Sequence, residues 1–321
     1  MMLSRRSFVL GAATALWAQD AKFSTDVNVV TLFATVRDAD GHIAKDLTRD
    51  FVLLENGEPQ TIRYFSRESD VPLTVGLLVD TSRSQINVLE PERRASYTFL
   101  DQMLRPDKDK AFIAQFNNRV ELLQGFTSSR DELRAALDKL HIPLIFATLL
   151  FAAVKETSES MMRPERGRKA FILLSDGGSF RDKTNIETSI EYAQRADTII
   201  YSIFYGGVVS KVRTSVLIAL SPVGGTLGAA LHAKGVKRGK SIMRRMAQET
   251  GGAYFEISQS NTIENAYAQI EDALRNQYSL GYTPKRTGRS GEYRKIKLTV
   301  KKPGLIAQTR DGYYTPITVL N

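Results

Sequence analysis

The sequence predicts an α/β fold, a doubly wound and mostly parallel sheet inserted into a β-sandwich formed by the N- and C-terminal strands. Apolar runs at 75–79, 169–175 and 198–204 alternate with helical patterns, which is typical of βαβ units whose sheet is covered on both faces. Strand patterns that alternate between polar and apolar residues lie outside this region, at 27–36 and 293–300. The chain is therefore expected to combine a parallel α/β unit with a set of half-buried strands.

The N-terminal strands, predicted for residues 23–70, include a β-hairpin. Its strands are predicted at 51–54 and 61–65, because Asn56-Gly57 between them favours the positive φ angles of a tight turn. A unit of this size is too short to bury a core alone, so it needs partner strands. The C-terminal region, 276–317, offers three of them, at 278–282, 293–300 and 305–309. We therefore expect both ends of the chain to form one sandwich.

The α/β domain is predicted to span residues 72–275. Ser129 begins a capping box for one of its helices. The other helical patterns lie at 88–104, 148–158, 185–196, 240–250 and 262–276. Residues 206–239 interrupt the alternation with glycines and weakly apolar segments, and they far exceed the usual βα connection of roughly 2–6 residues. We predict a loop insertion there, either a plain surface insertion or a flap that contacts a partner near the site.

The N-terminus resembles a twin-arginine export signal. Arg5 and Arg6 directly precede an apolar stretch at 8–17, and small residues follow it. A membrane anchor is the alternative, although ten apolar residues fall short of the roughly 20 that span a bilayer. We therefore predict a signal peptide at 1–18 and an exported protein, whether periplasmic, secreted or at the cell surface. Cleavage at Ala15, cleavage at Ala18 and retention remain open.

Composition restricts the function further. The formal charge is +9, and removal of Arg5 and Arg6 with the signal leaves +7, which favours an acidic partner: nucleic acid, an anionic envelope surface or a protein carboxylate. The chain has no cysteine, so thiol catalysis and cysteine-based zinc sites are excluded. No nucleic-acid-binding signature accompanies the basic residues, and Lys295 and Lys297 alternate along a strand, as on a solvated face. We expect no nucleic-acid partner.

A cluster of oxygen-bearing residues follows the first buried strand. Asp80, Ser82 and Ser84 begin where that strand ends, and Asp176 follows the next long apolar strand. Ligands of open α/β sheets bind outside the carboxyl ends of the strands. Carboxylate and hydroxyl oxygens without sulfur or imidazole suit a hard cation such as Mg²⁺. Helix capping is the alternative role for such residues.

Together with Thr148, these residues resemble the metal-ion-dependent adhesion site of von Willebrand factor type A domains, a Rossmann-like fold. That resemblance covers about 72–275. A wider resemblance, to the exported VWFA-related family first defined in acidobacteria, includes Glu55-Asn56-Gly57, residues 250–255 and the region from Tyr278 to Tyr314.

The resemblance implies a role for each site residue. Ser82 and Ser84 would bind the metal through their hydroxyls, and Thr148 would bind it directly or through water. Asp80 and Asp176 would act mainly through water. Thr148 follows Ile145-Phe146-Ala147, where the family usually has glycines, so a helix N-cap is its alternative role.

The resemblance also implies the activity of a non-enzymatic, adhesion-type binding protein. Its cation, Mg²⁺ with Mn²⁺ or Ca²⁺ as alternatives, would engage a carboxylate of a protein partner. Two other functions stay open: a metal-assisted hydrolase at the same site, and a structural protein that docks on the anionic envelope with a vestigial metal site. The sequence does not indicate the oligomeric state.

Overall fold

A computed structural model describes residues 29–67, 71–206 and 222–317. Its central sheet has six strands, and all but one of them run parallel. Numbered in chain order and given in their order across the sheet, they are β10 (Tyr254–Glu256), β9 (Thr198–Phe204), β8 (Arg168–Ser175), β5 (Leu73–Asp80), β6 (Lys110–Phe116) and β7 (Val120–Thr127). The edge strand β7 is antiparallel to β6. The doubly wound, mostly parallel sheet predicted from the sequence is confirmed.

Helices cover both faces of this sheet. They are α1 (Leu89–Met103), α2 (Arg130–Asp138), α3 (Leu150–Thr157), α4 (Ile186–Arg195), α5 (Pro222–Thr250) and α6 (Ile263–Arg275). Val75 and Leu77 of β5 pack in a core with α1, α2 and α6, whereas Leu78 packs in a second core with α3, α4 and α5. All eight residues of β5 are buried, as its continuous apolar run predicts.

Short side chains start several helices where the sequence places them. The hydroxyl of Ser129 accepts a hydrogen bond from the backbone N–H of Glu132 at 3.4 Å, as the capping box predicts. Asn185 and Thr262 accept equivalent bonds at the starts of α4 and α6. These caps satisfy backbone N–H groups that a helix cannot pair internally, so they fix where each helix begins.

The remaining strands form two four-stranded sheets. One has the order β13 (Ile306–Gln308), β1 (Val30–Arg37), β11 (Tyr278–Tyr282) and β4 (Ile62–Arg67); the other has β14 (Gly312–Tyr314), β12 (Tyr293–Val300), β2 (Phe51–Glu55) and β3 (Glu58–Gln60). Each sheet mixes strands from both ends of the chain, and their apolar residues share a single core. The sandwich is therefore confirmed, whereas the predicted domain boundaries stay predictions.

The predicted hairpin is only partly right. Asn56 and Gly57 have φ angles of 48° and 84°, and they connect β2 to β3 as expected. Of the segment predicted as the returning strand, 61–65, residues 62–65 instead belong to β4, which pairs with β11 in the opposite sheet. There the ring of Phe65 stacks on that of Tyr278 with 5.5 Å between centroids. This long-range contact decides the sheet that β4 joins.

The loop insertion predicted at 206–239 is wrong from Pro222 onward, because helix α5 begins there; residues 207–221 lie outside the described part. One of the glycines that suggested a loop, Gly239, has a packing role instead. A Cβ atom on Gly239 would lie 2.1 Å from the backbone oxygen of Asp176. Only glycine lets α5 approach the segment after β8 this closely.

Replacing Gly239 with alanine is expected to lower the free energy of unfolding by about 1–3 kcal/mol, because the added methyl group meets fixed backbone. Gly235→Ala is the matched control, since a Cβ atom there meets no atom within 4 Å. In that variant the higher helix propensity of alanine should raise stability by up to about 1 kcal/mol. Urea denaturation of both variants measures the contrast, and equal stabilities would contradict the close packing.

Strand β12 carries the outward-facing lysines that the sequence predicts, but it also carries an arginine that forms a buried ion pair. Lys295 and Lys297 of β12 are exposed as expected, but Arg294 on the same strand is 5% exposed. Its guanidinium contacts the carboxylate of Glu55, which also accepts hydrogen bonds from the hydroxyls of Tyr282 and Tyr313. The pair joins β12 to β2 inside the sandwich.

Within the described residues, no helix is both long and apolar enough to cross a membrane. The predicted signal peptide at 1–18 lies outside those residues.

Candidate metal site

Asp80 and Asp176 lie at the same edge of the central sheet. Asp80 is the last residue of β5, and Asp176 directly follows β8, the parallel neighbour of β5. Burial and the charge of Asp176 raise the pKa of Asp80 to about 7. The structure therefore brings the two predicted carboxylates close enough to interact, at the carboxyl ends of their strands.

The segment after Asp80 turns back so that its hydroxyls converge. The backbone N–H of Ser82 donates to Oδ1 of Asp80 at 2.9 Å, and the Ser175 hydroxyl donates to Oδ2 at 2.6 Å. The hydroxyl oxygens of Ser82 and Ser84 lie 2.9 Å apart. Hydrogen bonds from Ser82 and Ser175 thus fix the Asp80 carboxylate, and the neutral hydroxyl oxygens of Ser82 and Ser84 lie next to each other.

Asp176 sits in a tight turn. The N–H of Gly178 donates to its Oδ1 at 2.8 Å, and the N–H of Gly177 donates to the Ser175 hydroxyl at 3.0 Å. Gly177 has a φ angle of 69°, a conformation that favours glycine. The turn leaves the Asp176 carboxylate half-buried at the sheet edge.

Thr148 lies in a third segment that is tied to the other two. Its backbone exchanges two hydrogen bonds with Phe180, at 2.9 and 3.0 Å. The neighbouring Leu149 donates to the carbonyl of Asn117, whose side-chain amide donates to the Thr81 hydroxyl at 2.8 Å. Backbone bonds therefore place Thr148 between the segments that carry Asp80 and Asp176.

The alternative role of Thr148 as a helix N-cap is wrong. Helix α3 begins at Leu150, and Leu149 occupies the cap position without a side-chain hydrogen bond. The carboxylate of Asp182 instead accepts hydrogen bonds from the N–H groups of Phe151 and Ala152, at 2.8 and 3.2 Å. Within the described part of the chain, the Thr148 hydroxyl has no hydrogen-bond partner.

Sequence reasoning missed a third carboxylate, that of Glu92 in α1. This residue is 1% exposed, and neither carboxylate oxygen has a hydrogen-bond partner among the residues that the structure describes. Burial, followed by the charges of Asp80 and Asp176, raises its pKa well above the usual range. The spacing from Glu92 to Ala95, Ser96 and Phe99 places it on the buried helix face, and that pattern could have revealed it.

These residues fit a divalent cation. None of the carboxylates of Asp80, Glu92 and Asp176 forms an ion pair with a described lysine, arginine or histidine. Buried carboxylates without a counter-charge are costly, and an adjacent cation removes that cost. Hydroxyl and carboxylate oxygens are also the ligands that hard cations prefer.

Without metal, the free energy of unfolding is expected to decrease as the pH rises from about 4 to about 7. The folded-state pKa of Asp80 is raised, so the folded protein binds more protons than the unfolded chain in that range. The decrease should be on the order of a few kcal/mol, and saturating Mg²⁺ should reduce it. Urea unfolding at about pH 5 and about pH 8, with and without Mg²⁺, tests this; the same slope in both series would contradict a cation at Asp80.

An apolar rim, defined as Ile86, Leu144, Ile145, Phe146 and Phe180, flanks the candidate site. These side chains are 55–85% exposed, and each lies within four positions of a predicted metal residue. The guanidinium of Arg83 lies 4.6 Å from the centre of the Phe146 ring. Large exposed apolar side chains grouped around polar groups are typical of protein interaction surfaces.

No known protein family matches the sequence. No curated protein matches it either. Among solved structures, proximal thread matrix protein 1 from the mussel byssus, solved with a zinc-occupied MIDAS motif, superposes with a TM-score of 0.50 and 14% identity over 70% of this chain. The match covers 50% of the mussel protein, so the chain corresponds to about half of its length.

Two bacterial structures also match. The vWF domain of the type V pili tip protein Mfa5 from Porphyromonas gingivalis has a TM-score of 0.46 and 13% identity over 64% of this chain and 95% of that domain. BatB from Bacteroides thetaiotaomicron has a TM-score of 0.44 and 16% identity over 64% of this chain and 100% of that protein.

The chain has a von Willebrand A-type fold. At 14% identity the likeness extends to the fold alone. The candidate site occupies the carboxyl edge of the von Willebrand A-type sheet, and the narrower acidobacterial family stays a prediction.

Proposed function

We propose that this protein is an exported, non-enzymatic binding protein that holds a divalent cation and engages a carboxylate of a protein partner. One arrangement carries the proposal: two serine hydroxyls converge beside Asp80, and neither Asp80 nor the nearby Asp176 and Glu92 forms an ion pair with a described cation. The mussel protein of similar fold has a MIDAS motif that holds zinc, which supports a metal in the same kind of site. The twin-arginine sequence at Arg5 and Arg6 supports export.

The neutral ligands would be the hydroxyls of Ser82, Ser84 and Thr148. Asp80 is held by two protein donors, so it would act through its charge and through bound water, as would Asp176. Few charged ligands leave the cation electrophilic, and a partner carboxylate can then complete its coordination. Mg²⁺ is the first candidate because it prefers oxygen ligands and keeps several waters; Mn²⁺ and Ca²⁺ are the alternatives.

The apolar rim supports a protein as the partner. Its exposed side chains belong to the same segments as the proposed ligands, so a partner would present apolar residues next to its acidic group. Burying such residues around a charge contact excludes water and strengthens the electrostatic attraction. An anionic envelope polymer without apolar groups would leave the rim in water.

The proposal is tested by capture from envelope extracts on immobilised protein, with Mg²⁺ or with a chelator. We expect a partner that is captured in the presence of Mg²⁺ and is released when the chelator removes the cation. Equal capture under both conditions would exclude the metal role, and strong salt sensitivity without metal dependence would favour envelope docking. Metal-dependent turnover of phosphate or peptide esters would instead favour the hydrolase.

Phe146→Ser is expected to weaken capture at least about tenfold while leaving Mg²⁺ affinity unchanged, because Phe146 is 63% exposed and belongs to the rim rather than to the ligands. Ile306→Ser is the matched control, since Ile306 is 68% exposed on β13 in the sandwich. Calorimetry reports the Mg²⁺ affinity, and surface plasmon resonance reports partner binding. If both variants retained full partner binding, the rim would have no part in the interface.

A further inference from the structure

A large cavity lies at the other edge of the central sheet. Its volume is about 1190 Å³, and its lining includes Lys169 and Thr198, which stand at the amino ends of β8 and β9. Thr31, Thr283 and Tyr313 of the sandwich line it as well. The cavity therefore lies between the α/β unit and the sandwich, at the sheet edge opposite to the candidate metal site.

The lining of this cavity is strongly cationic. Among the described residues that line it, seven are arginine or lysine and two, Glu165 and Asp197, are acidic. Four of the seven form ion pairs: Arg195 with Glu191, Arg286 with Glu58, Arg294 with Glu55 and Arg310 with Asp197. The carboxylate of Glu165 pairs with Lys110 at 2.7 Å, so it is already engaged.

Three cations remain without a carboxylate partner among the described residues: Arg163, Arg166 and Lys169. They lie on one short segment that enters β8. Lys169 is 7% exposed, and its ammonium donates only to the backbone carbonyl of Glu165, at 2.9 Å. Burial lowers the pKa of Lys169. The charges of Asp197 and Glu165 offset part of this effect, but neither carboxylate forms an ion pair with the ammonium, and a bound anion would supply a direct partner.

We propose that this cavity binds a small molecule with two or more anionic groups, phosphates or carboxylates, through Arg163, Arg166 and Lys169. Two unmatched guanidiniums and a buried ammonium on one wall complement several negative oxygens better than a single charge. The volume of about 1190 Å³ exceeds the need of a lone ion and lies just above the roughly 300–1,000 Å³ that is usual for pockets of organic molecules, so it leaves room for one. The inference does not depend on the metal site, which lies at the opposite sheet edge.

The test is calorimetric titration of the full chain in metal-free buffer, with pyrophosphate and citrate as probes. Wild type is expected to bind at least one probe, and the tighter probe identifies phosphate or carboxylate as the preferred group. Lys169→Gln should weaken that binding at least about tenfold, because it removes a buried charge from the contact. Arg166→Gln alters an exposed side chain, so it should fold normally and weaken binding several-fold.

Arg94→Gln is the control, since Arg94 is exposed on α1 and does not line the cavity. Its binding should equal that of wild type. Failure of both probes to bind wild type would overturn the proposal. Equal losses in Arg94→Gln and Arg166→Gln would also overturn it, because they would show general attraction to a basic surface.

Discussion

Asp80→Asn is expected to reduce Mg²⁺ affinity by at least about a hundredfold and, at the same time, to raise the melting temperature of the metal-free protein. The amide keeps an oxygen for the N–H of Ser82 but carries no charge, so the cation loses a major attraction. Without the cation, the same change removes a buried charge that interacts unfavourably with Asp176. Calorimetry measures the first effect and thermal unfolding the second.

Opposite signs of the two effects make this prediction specific. A variant that merely misfolds would lose both binding and stability. Asp107→Asn is the matched control because Asp107 is exposed near the start of β6, away from the site, and the same substitution there should change neither quantity. Unchanged Mg²⁺ affinity in Asp80→Asn would place the cation elsewhere. A lower melting temperature for the metal-free variant would show that the charge of Asp80 is not a cost to the fold.

Glu55→Gln is expected to lower the free energy of unfolding by about 3 kcal/mol, because it leaves the Arg294 guanidinium buried without its main carboxylate partner. Glu292, whose nearest oxygen lies 3.8 Å from that guanidinium, compensates only in part. The glutamine oxygen can still accept from the hydroxyls of Tyr282 and Tyr313. The loss therefore reports on the charge. Urea denaturation at neutral pH measures it.

The double variant Glu55→Gln with Arg294→Met should recover most of that loss. Replacing both members of a buried pair with neutral side chains is often nearly neutral, whereas removing one is not. Lys297→Met is the control for the loss of a cation on the same strand, and because Lys297 is exposed it should change stability by less than about 0.5 kcal/mol. A double variant no more stable than Glu55→Gln alone would show that packing, rather than charge pairing, holds this contact.

Local patterns predicted most of the fold because the relevant forces are local or periodic. Continuous apolar runs located β5, β8 and β9, and Ser129 marked the start of α2. The errors occur where distant contacts decide the structure. The sheet that β4 joins depends on a strand far along the chain, and the glycine at position 239 is explained by the close approach of α5 to Asp176. A pattern read over a few neighbouring residues shows neither the pairing of β4 with β11 nor the contact of Gly239 with Asp176.

The sequence predicted those residues of the candidate site that directly follow the ends of buried strands. The position of Asp80 and Asp176 after neighbouring parallel strands follows from the apolar pattern, and the structure brings them to one edge. Glu92 escaped notice because a carboxylate in the first turn of a helix suits the helix dipole and suggests an exposed residue. The cationic cavity was also missed, because it assembles residues from the α/β unit and the sandwich.

The sandwich combines strands from distant parts of the chain, and this affects how it can form during synthesis on the ribosome. The N–H of Leu47 donates to the Tyr278 hydroxyl, a partner 231 positions further along the chain. Apart from a local bridge between Arg37 and Ile43, the strand partners of β1 among the described residues are β11 and β13, both encoded after the whole α/β unit. During translation, the apolar faces of β1 and β2 are therefore exposed before the strands that complete their core, such as β11 and β12, have been synthesised. The β2–β3 hairpin can form early, but the second edge of β2 and the edges of β1 that pair with β11 and β13 stay open until the later strands emerge.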